Sequence, residues 1–225
     1  MHDLRPVAAV PRWVLGFLGV ALAAQIAAQA LRDSGSSAEA QLPPAPSTRA
    51  LRLASFAEPE AAARLAMVYI QSFSQPDYRE LIGWLGAALE LDPRGQYPLF
   101  LAARVYAESG DAARNRIALE FVYREFLRDP NRRWPWLAHA ALLAKHRLKD
   151  LPLARRYAQA LEQRVTARDI PLWARQMEIF ILEDMDELEA AKIMIGSLLQ
   201  GGAIQDPAEL RFLKQRLEEL EARSR

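Results

Sequence analysis

The apolar residues of this chain fall into two unlike patterns. Residues 13–31 (WVLGFLGVALAAQIAAQAL) form an uninterrupted uncharged run with Arg12 and Arg32 at its ends. From residue 56 onward, apolar positions instead recur at i, i+4 and i+7, one face of a helix, and that motif is itself periodic. Ala62, Leu99, Trp136 and Trp173 stand 37 residues apart. Ala66, Ala103, Ala140 and Met177 follow four positions later, and Tyr69, Tyr106, Leu143 and Phe180 three beyond those. The middle position is small in three of four units, which lets a neighbouring helix approach closely. Trp84, Phe121, Ala158 and Ile195 share the spacing in the second half of each unit.

Each unit is therefore expected to be a helix, a short turn and a second helix. The spans predicted are 59–74 and 77–91, 96–109 and 111–128, 133–147 and 150–166, then 171–184 and 186–200. Asp92-Pro93 and Asp129-Pro130 close two of the second helices, because proline cannot continue a helix and pulls the preceding residue out of the helical region. Asp111, after Ser109-Gly110, reads as an N-cap. Asp186 with Glu189, and Asp206-Pro207-Ala208-Glu209, read as capping boxes. No stretch alternates with period two, so no sheet is predicted.

The uncharged run is long enough to matter for localisation. As a helix its 19 residues span roughly 28 Å, close to bilayer thickness, and Trp13 sits where an indole favours the interface. Three readings stand: an uncleaved transmembrane anchor, a cleaved signal with Ala28-Gln29-Ala30 as its small-x-small site, and, last, a soluble buried helix. Arg5, Arg12 and the free amine precede the run, and this leans the N-terminus inside. The expectation is a single-pass inner-membrane protein with its body in the periplasm, or a soluble periplasmic protein after cleavage. Residues 33–50 are rich in Ser, Pro and Ala and read as a tether. The domains expected are thus an anchor or signal segment at 1–32, a linker at 33–55, a repeat domain at 56–202 and a capping helix at 203–225.

The stretch LFLAARVYAESGDAARNRIALEFVYREFLRDP (99–130) resembles a tetratricopeptide repeat. A large residue opens it; Ala103, Tyr106, Gly110-Asp111, Ala118 and the closing Pro130 follow in place. WLGAALELDP (84–93) is similar to the end of another such repeat. The period of 37 departs from the family's 34, and the third and fourth units lack the turn glycine and closing proline. The resemblance implies an all-α, right-handed solenoid of about four hairpins, whose first helices line a concave groove that holds peptides or partner proteins. Tyr97, Phe100, Arg104, Trp134, His139, Arg175 and Glu178 are the candidate groove residues. After Gln200-Gly201-Gly202, Leu210, Leu213, Leu217 and Leu220 make one stripe on a last helix, suited to capping the array; a short coiled-coil seam for a homo-oligomer is the competing use of that stripe.

Composition and charge narrow the function further. The chain has 225 residues, a formal charge of +1 and no cysteine, which removes disulfides, thiolate nucleophiles and cysteine zinc sites, and leaves no global basic field for nucleic acid. The charge is nonetheless split. Residues 94–169 are rich in Arg and Lys, and 170–210 in Asp and Glu, an arrangement able to steer a bipolar partner or a head-to-tail contact. In Pro130-Asn131-Arg132-Arg133-Trp134-Pro135-Trp136, Trp136 falls on a packing position. Arg132, Arg133 and Trp134 lie off it and are expected on the surface as partner contacts, since Arg and Trp are enriched in binding hot spots. His139 and His146 share a helix face without further ligands, the acidic run 183–189 lacks the spacing of a calcium loop, and no G-x-S-x-G elbow or phosphate loop is present. The sequence therefore predicts no catalytic residue, metal or cofactor. It predicts a membrane-tethered scaffold or adaptor for a protein or peptide, suited by fold-level analogy to envelope assembly, secretion or export in a bacterium. The alternatives are a glycan- or nucleic-acid-binding solenoid using the Arg/Trp-rich middle and, last, an enzyme.

Overall fold

The computed structural model describes residues 41–225 apart from 56–57, 168–169, 202–203, 205 and 224–225; before residue 41 it describes only 16, 19–20 and 22–25. Two compact units divide the chain at Gln41 and Leu42. In the first, the described residues before 41 are helical and exposed; the rest of the uncharged run, including the cleavage motif at 28–30, lies outside the described residues, as does the linker over 33–40. No helix among the described residues is long and apolar enough to cross a membrane.

The second unit is all-α among its described residues. Its helices are α1 (Thr48–Ala54), α2 (Pro59–Gln71), α3 (Tyr78–Leu91), α4 (α-helical over Tyr97–Phe100, a π turn over Leu101–Val105, a 3-10 turn over Tyr106–Glu108), α5 (Ala112–Arg128), α6 (Pro130–His146), α7 (Leu151–Arg164), α8 (Leu172–Arg175), α9 (Met177–Asp184), α10 (Leu188–Gln200) and α11 (Pro207–Arg223). Neighbours in sequence pack as pairs: α2 on α3, α4 on α5, α6 on α7, α9 on α10 and α10 on α11. Successive pairs are joined by packing of α3 on α5 and of α7 on α9.

The repeated positions explain that packing. Ala66, Ala103, Ala140 and Met177 are all buried in the first helices, and Trp84, Phe121, Ala158 and Ile195 in the second. The starts are capped by carboxylates: Asp111 accepts from the Ala113 and Arg114 amides (2.8 and 3.2 Å), Asp150 from Leu153 (2.9 Å) and Asp206 from Ala208 (2.8 Å), satisfying donors that a first turn leaves free. Where the turn glycine is missing, Lys149 and Asp186 take left-handed φ of 55° and 61°. They stand one period apart, so the same corner is built twice without glycine, at a local conformational cost.

Several expectations are corrected. Residues 42–54, placed in the linker, belong to the packed unit: Leu42 is buried, α1 lies on α2 and α3, and the Trp84 indole donates to the Pro43 carbonyl at 2.8 Å. A buried indole N–H needs an acceptor, and this segment supplies it. The third first-helix begins at Pro130, not 133, since proline suits the first helical position. The span 171–184 is two helices broken at Gln176, whose buried side-chain amide donates to Glu209 of α11. Asp186 is not an N-cap: it takes the left-handed turn, and Glu187, which precedes α10, makes no side-chain capping bond.

The charge asymmetry is largely spent inside the molecule. Arg116 pairs with Asp150 and Arg156 with Glu120, joining α5 to the start and body of α7. Arg155 of α7 meets Glu178 at 3.2 Å and Glu187 at 3.4 Å; Lys145 of α6 meets Asp184; Arg216 of α11 meets Glu183. The acidic run is thus neutralised by its own neighbours, which leaves little of it for a bipolar partner. The apolar core separates into a large cluster from Leu42 to Ile181 and a small one made of Ile179, Leu182, Ala191, Ile195, Ile204, Leu213 and Leu220. Leu213 and Leu220 are buried there and Leu210 and Leu217 pack against it, so the leucine stripe of α11 is already covered by its own chain.

Candidate functional site

The nine candidate residues separate into three groups. Tyr97, Phe100, Arg104 and His139 come together on α4 and α6. The Tyr97 ring stacks on Phe100 (centroids 5.9 Å apart) and its hydroxyl donates to Gln71 Oε1 of α2 at 3.1 Å. Phe100 meets Trp136 of α6 edge-on at 6.0 Å, and the Trp136 indole donates to Gln96 Oε1 at 2.5 Å. Arg104 Nη1 lies 3.4 Å from His139 Nε2, which in turn lies 3.5 Å from Glu108 Oε1. A guanidinium only donates and a carboxylate only accepts, so Nε2 accepts from Arg104 in the tautomer that leaves it bare and donates to Glu108 in the one that protonates it. Burial lowers the His139 pKa and the neighbouring Arg104 charge lowers it further, against a smaller opposing pull from Glu108. The ring is therefore neutral at neutral pH.

Trp134 and Arg132 are peripheral. Trp134 is half-buried and meets Trp173 edge-on at 6.0 Å. Arg132 is exposed and pairs with Asp129 at 3.0 Å, at the start of its own helix.

Arg133, Glu178 and Arg175 serve the interior. Arg133, expected on the surface, is buried: its guanidinium donates to the Glu125 carboxylate (2.7 Å), the Glu125 carbonyl (2.8 Å) and the Pro93 carbonyl (3.2 Å), tying the ends of α3 and α5 to α6. Glu178, expected in the groove, is buried between Arg155 (3.2 Å) and Gln159 (2.7 Å) of α7. Arg175 is half-buried and donates to the Ala167 carbonyl. With Arg133 inside, the Arg/Trp-rich segment loses the basic cluster on which a polyanion-binding surface was expected.

Other residues complete this face. Val68, Val105 and Leu142 are 67%, 49% and 41% exposed. They stand 37 apart, so one repeat position carries an uncovered aliphatic side chain on three successive first helices. Reading the period at 68, 105 and 142 would have found them; attention to the buried positions hid them. Two cavities open between the same helices. One, of about 430 Å³, lies between α2 and α4 and includes Met67, Val68, Gln71 and Tyr97 in its wall. The other, about 250 Å³, lies between α6 and the α8–α9 segment and is walled by Leu142, Lys145, Trp173 and Phe180, among others. On the second helices the exposed large apolar residues are scattered at Ile117, Leu127 and Ile193. No family model matches the chain, and no curated protein or solved structure matches it.

Proposed function

We propose that this chain is a membrane-tethered, non-enzymatic adaptor of tetratricopeptide-like build that holds a segment of a partner protein along the face formed by its first helices. The observation that carries this reading is the line Val68, Val105 and Leu142, exposed at one repeat position, with Tyr97 sharing a cavity wall with Val68 and Trp173 one with Leu142. Continuous uncovered apolar surface rimmed by polar groups marks an interaction site, and aromatic residues are the usual anchors of such sites. The solenoid reading rests on the 37-residue period, the pairwise helix packing and the twice-built left-handed corner. The tether reading rests on residues 13–31 alone, with the repeat unit in the periplasm.

The absence of cysteine makes the test direct. Single substitutions Val68→Cys, Phe100→Cys and Leu142→Cys on the proposed face, and Ile117→Cys and Ile193→Cys on second helices, each carry a cleavable photo-cross-linker in cells. The expected result is one common adduct from the three first-helix positions and none from the other two. Adducts from all five positions alike, or from none, overturn the reading. N-terminal sequencing of the mature chain and protease access to the body in intact cells decide between anchor and cleaved signal.

A further inference from the structure

Arg104 stands out on this face. One period before and after it, Met67 and Ala141 are buried, and two periods on, Glu178 is buried too. Arg104 is exposed instead. It lies in the π turn of Leu101–Val105, where Leu101, Ala102 and Ala103 stay buried. Such turns recur at functional sites. The other cations at the two cavities are already paired: Arg64 with Glu60 at 3.4 Å and Lys145 with Asp184. Arg104 has no carboxylate within ion-pair distance among the described residues; its side-chain contact is the neutral His139 ring. Glu108 is turned to His139 and, from just past the end of α6, Arg147 donates to the Glu108 carbonyl at 3.1 Å.

We propose, resting on the adaptor reading above, that the partner segment is an extended peptide with an internal acidic residue that pairs with Arg104, flanked on either side by large apolar side chains seated in the two cavities. The flanking aliphatic line runs past Arg104 in both directions, to Val68 and to Leu142, so the acid is internal to the segment and is not a chain end. Neighbouring packed helices lie about 8–10 Å apart. The cavities sit two such steps apart, or about 20 Å, which an extended chain covers in about six residues. The recognition pattern is therefore apolar, acidic, apolar, with the outer pair about six positions apart.

The test uses the full-length chain and random 12-residue peptides displayed on phage as amino-terminal fusions, which present no free carboxyl end. Selection on the wild-type chain is expected to enrich Asp or Glu between two large apolar residues. The best peptide, made synthetically, should weaken on the order of tenfold when its acid is replaced by the amide, and similarly against Arg104→Glu, as the loss of one charge-assisted bond implies. Arg124→Glu, on α5, should bind as wild type, and selection on Arg104→Glu should enrich Lys or Arg at the central place. Peptides that need Leu142 (lost with Leu142→Asp) but show no acidic preference, or bind Arg104→Glu unchanged, overturn this inference and leave the adaptor reading standing. No enrichment on any version of the chain overturns the inference, and the cross-linking experiment then decides the adaptor reading separately.

Discussion

The buried pair between Glu125 and Arg133 offers the sharpest test of how the repeats are joined. Their side chains are 6% and 5% exposed. Replacing Arg133 by methionine removes the 2.7 Å ion pair and the donors to the Glu125 and Pro93 carbonyls. Breaking a buried pair from one side costs about 3–5 kcal/mol, because the remaining charge stays desolvated. Arg128, mostly exposed and 2.9 Å from the other Glu125 oxygen, still offsets part of that charge, so the lower end, about 3 kcal/mol, is expected. For a unit of this size that lowers Tm by about 6–12 °C. The double variant Glu125→Leu/Arg133→Met removes both charges and fills the volume; such replacements are often near neutral, so it should recover at least about 2 kcal/mol. Urea melts followed by circular dichroism give both numbers as midpoint shifts at unchanged slope. A single-variant loss under about 1 kcal/mol, or a double variant no more stable than Arg133→Met, refutes the reasoning.

Two further outcomes follow from single side chains. The His139 pKa is lowered in the fold by burial and by Arg104, so the native state favours the neutral ring: its contribution is full above the unfolded value of about 6.5 and is lost as pH falls through the lower folded value. Thermal melts between pH 7.5 and 5.5 should show a steeper loss for wild type than for His139→Gln, and coincident slopes refute this. The Tyr157 hydroxyl is buried with no hydrogen-bond partner of good geometry among the described residues, the Arg156 guanidinium lying over its ring instead, so Tyr157→Phe removes a poorly compensated polar atom and should hold or raise stability by up to about 1 kcal/mol; a comparable loss in urea melts refutes that.

The period in the sequence located most of the helices because it reports burial, and burial is what drives amphipathic helices together. Proline and aspartate at 92–93, 129–130 and 206–207 placed the breaks for the same local reason. What stayed hidden depends on partners distant in sequence. Leu42 and Pro43 lie in a stretch too polar to predict a core, yet they pack where Trp84 needs an acceptor. Gln176 breaks a helix in favour of Glu209 of α11. Arg133 and Glu178 looked like surface charges, since their counter-ions Glu125 and Arg155 belong to other helices. The π turn leaves no trace in periodicity, so Arg104 was legible as a groove residue but the π turn that carries it was not.

The small core at the C-terminal end has a consequence for synthesis. Ile179 and Leu182 on α9 share a small core with α10, Ile204 and the leucines of α11. About forty residues separate Leu182 from Leu220, and a ribosome adds about 5–20 residues per second. For some two to eight seconds the nascent chain therefore presents a wet apolar edge, beside a larger core whose residues have already been made. That interval, closed only by the last helix, is when a chaperone or a second nascent chain has its opportunity at this molecule.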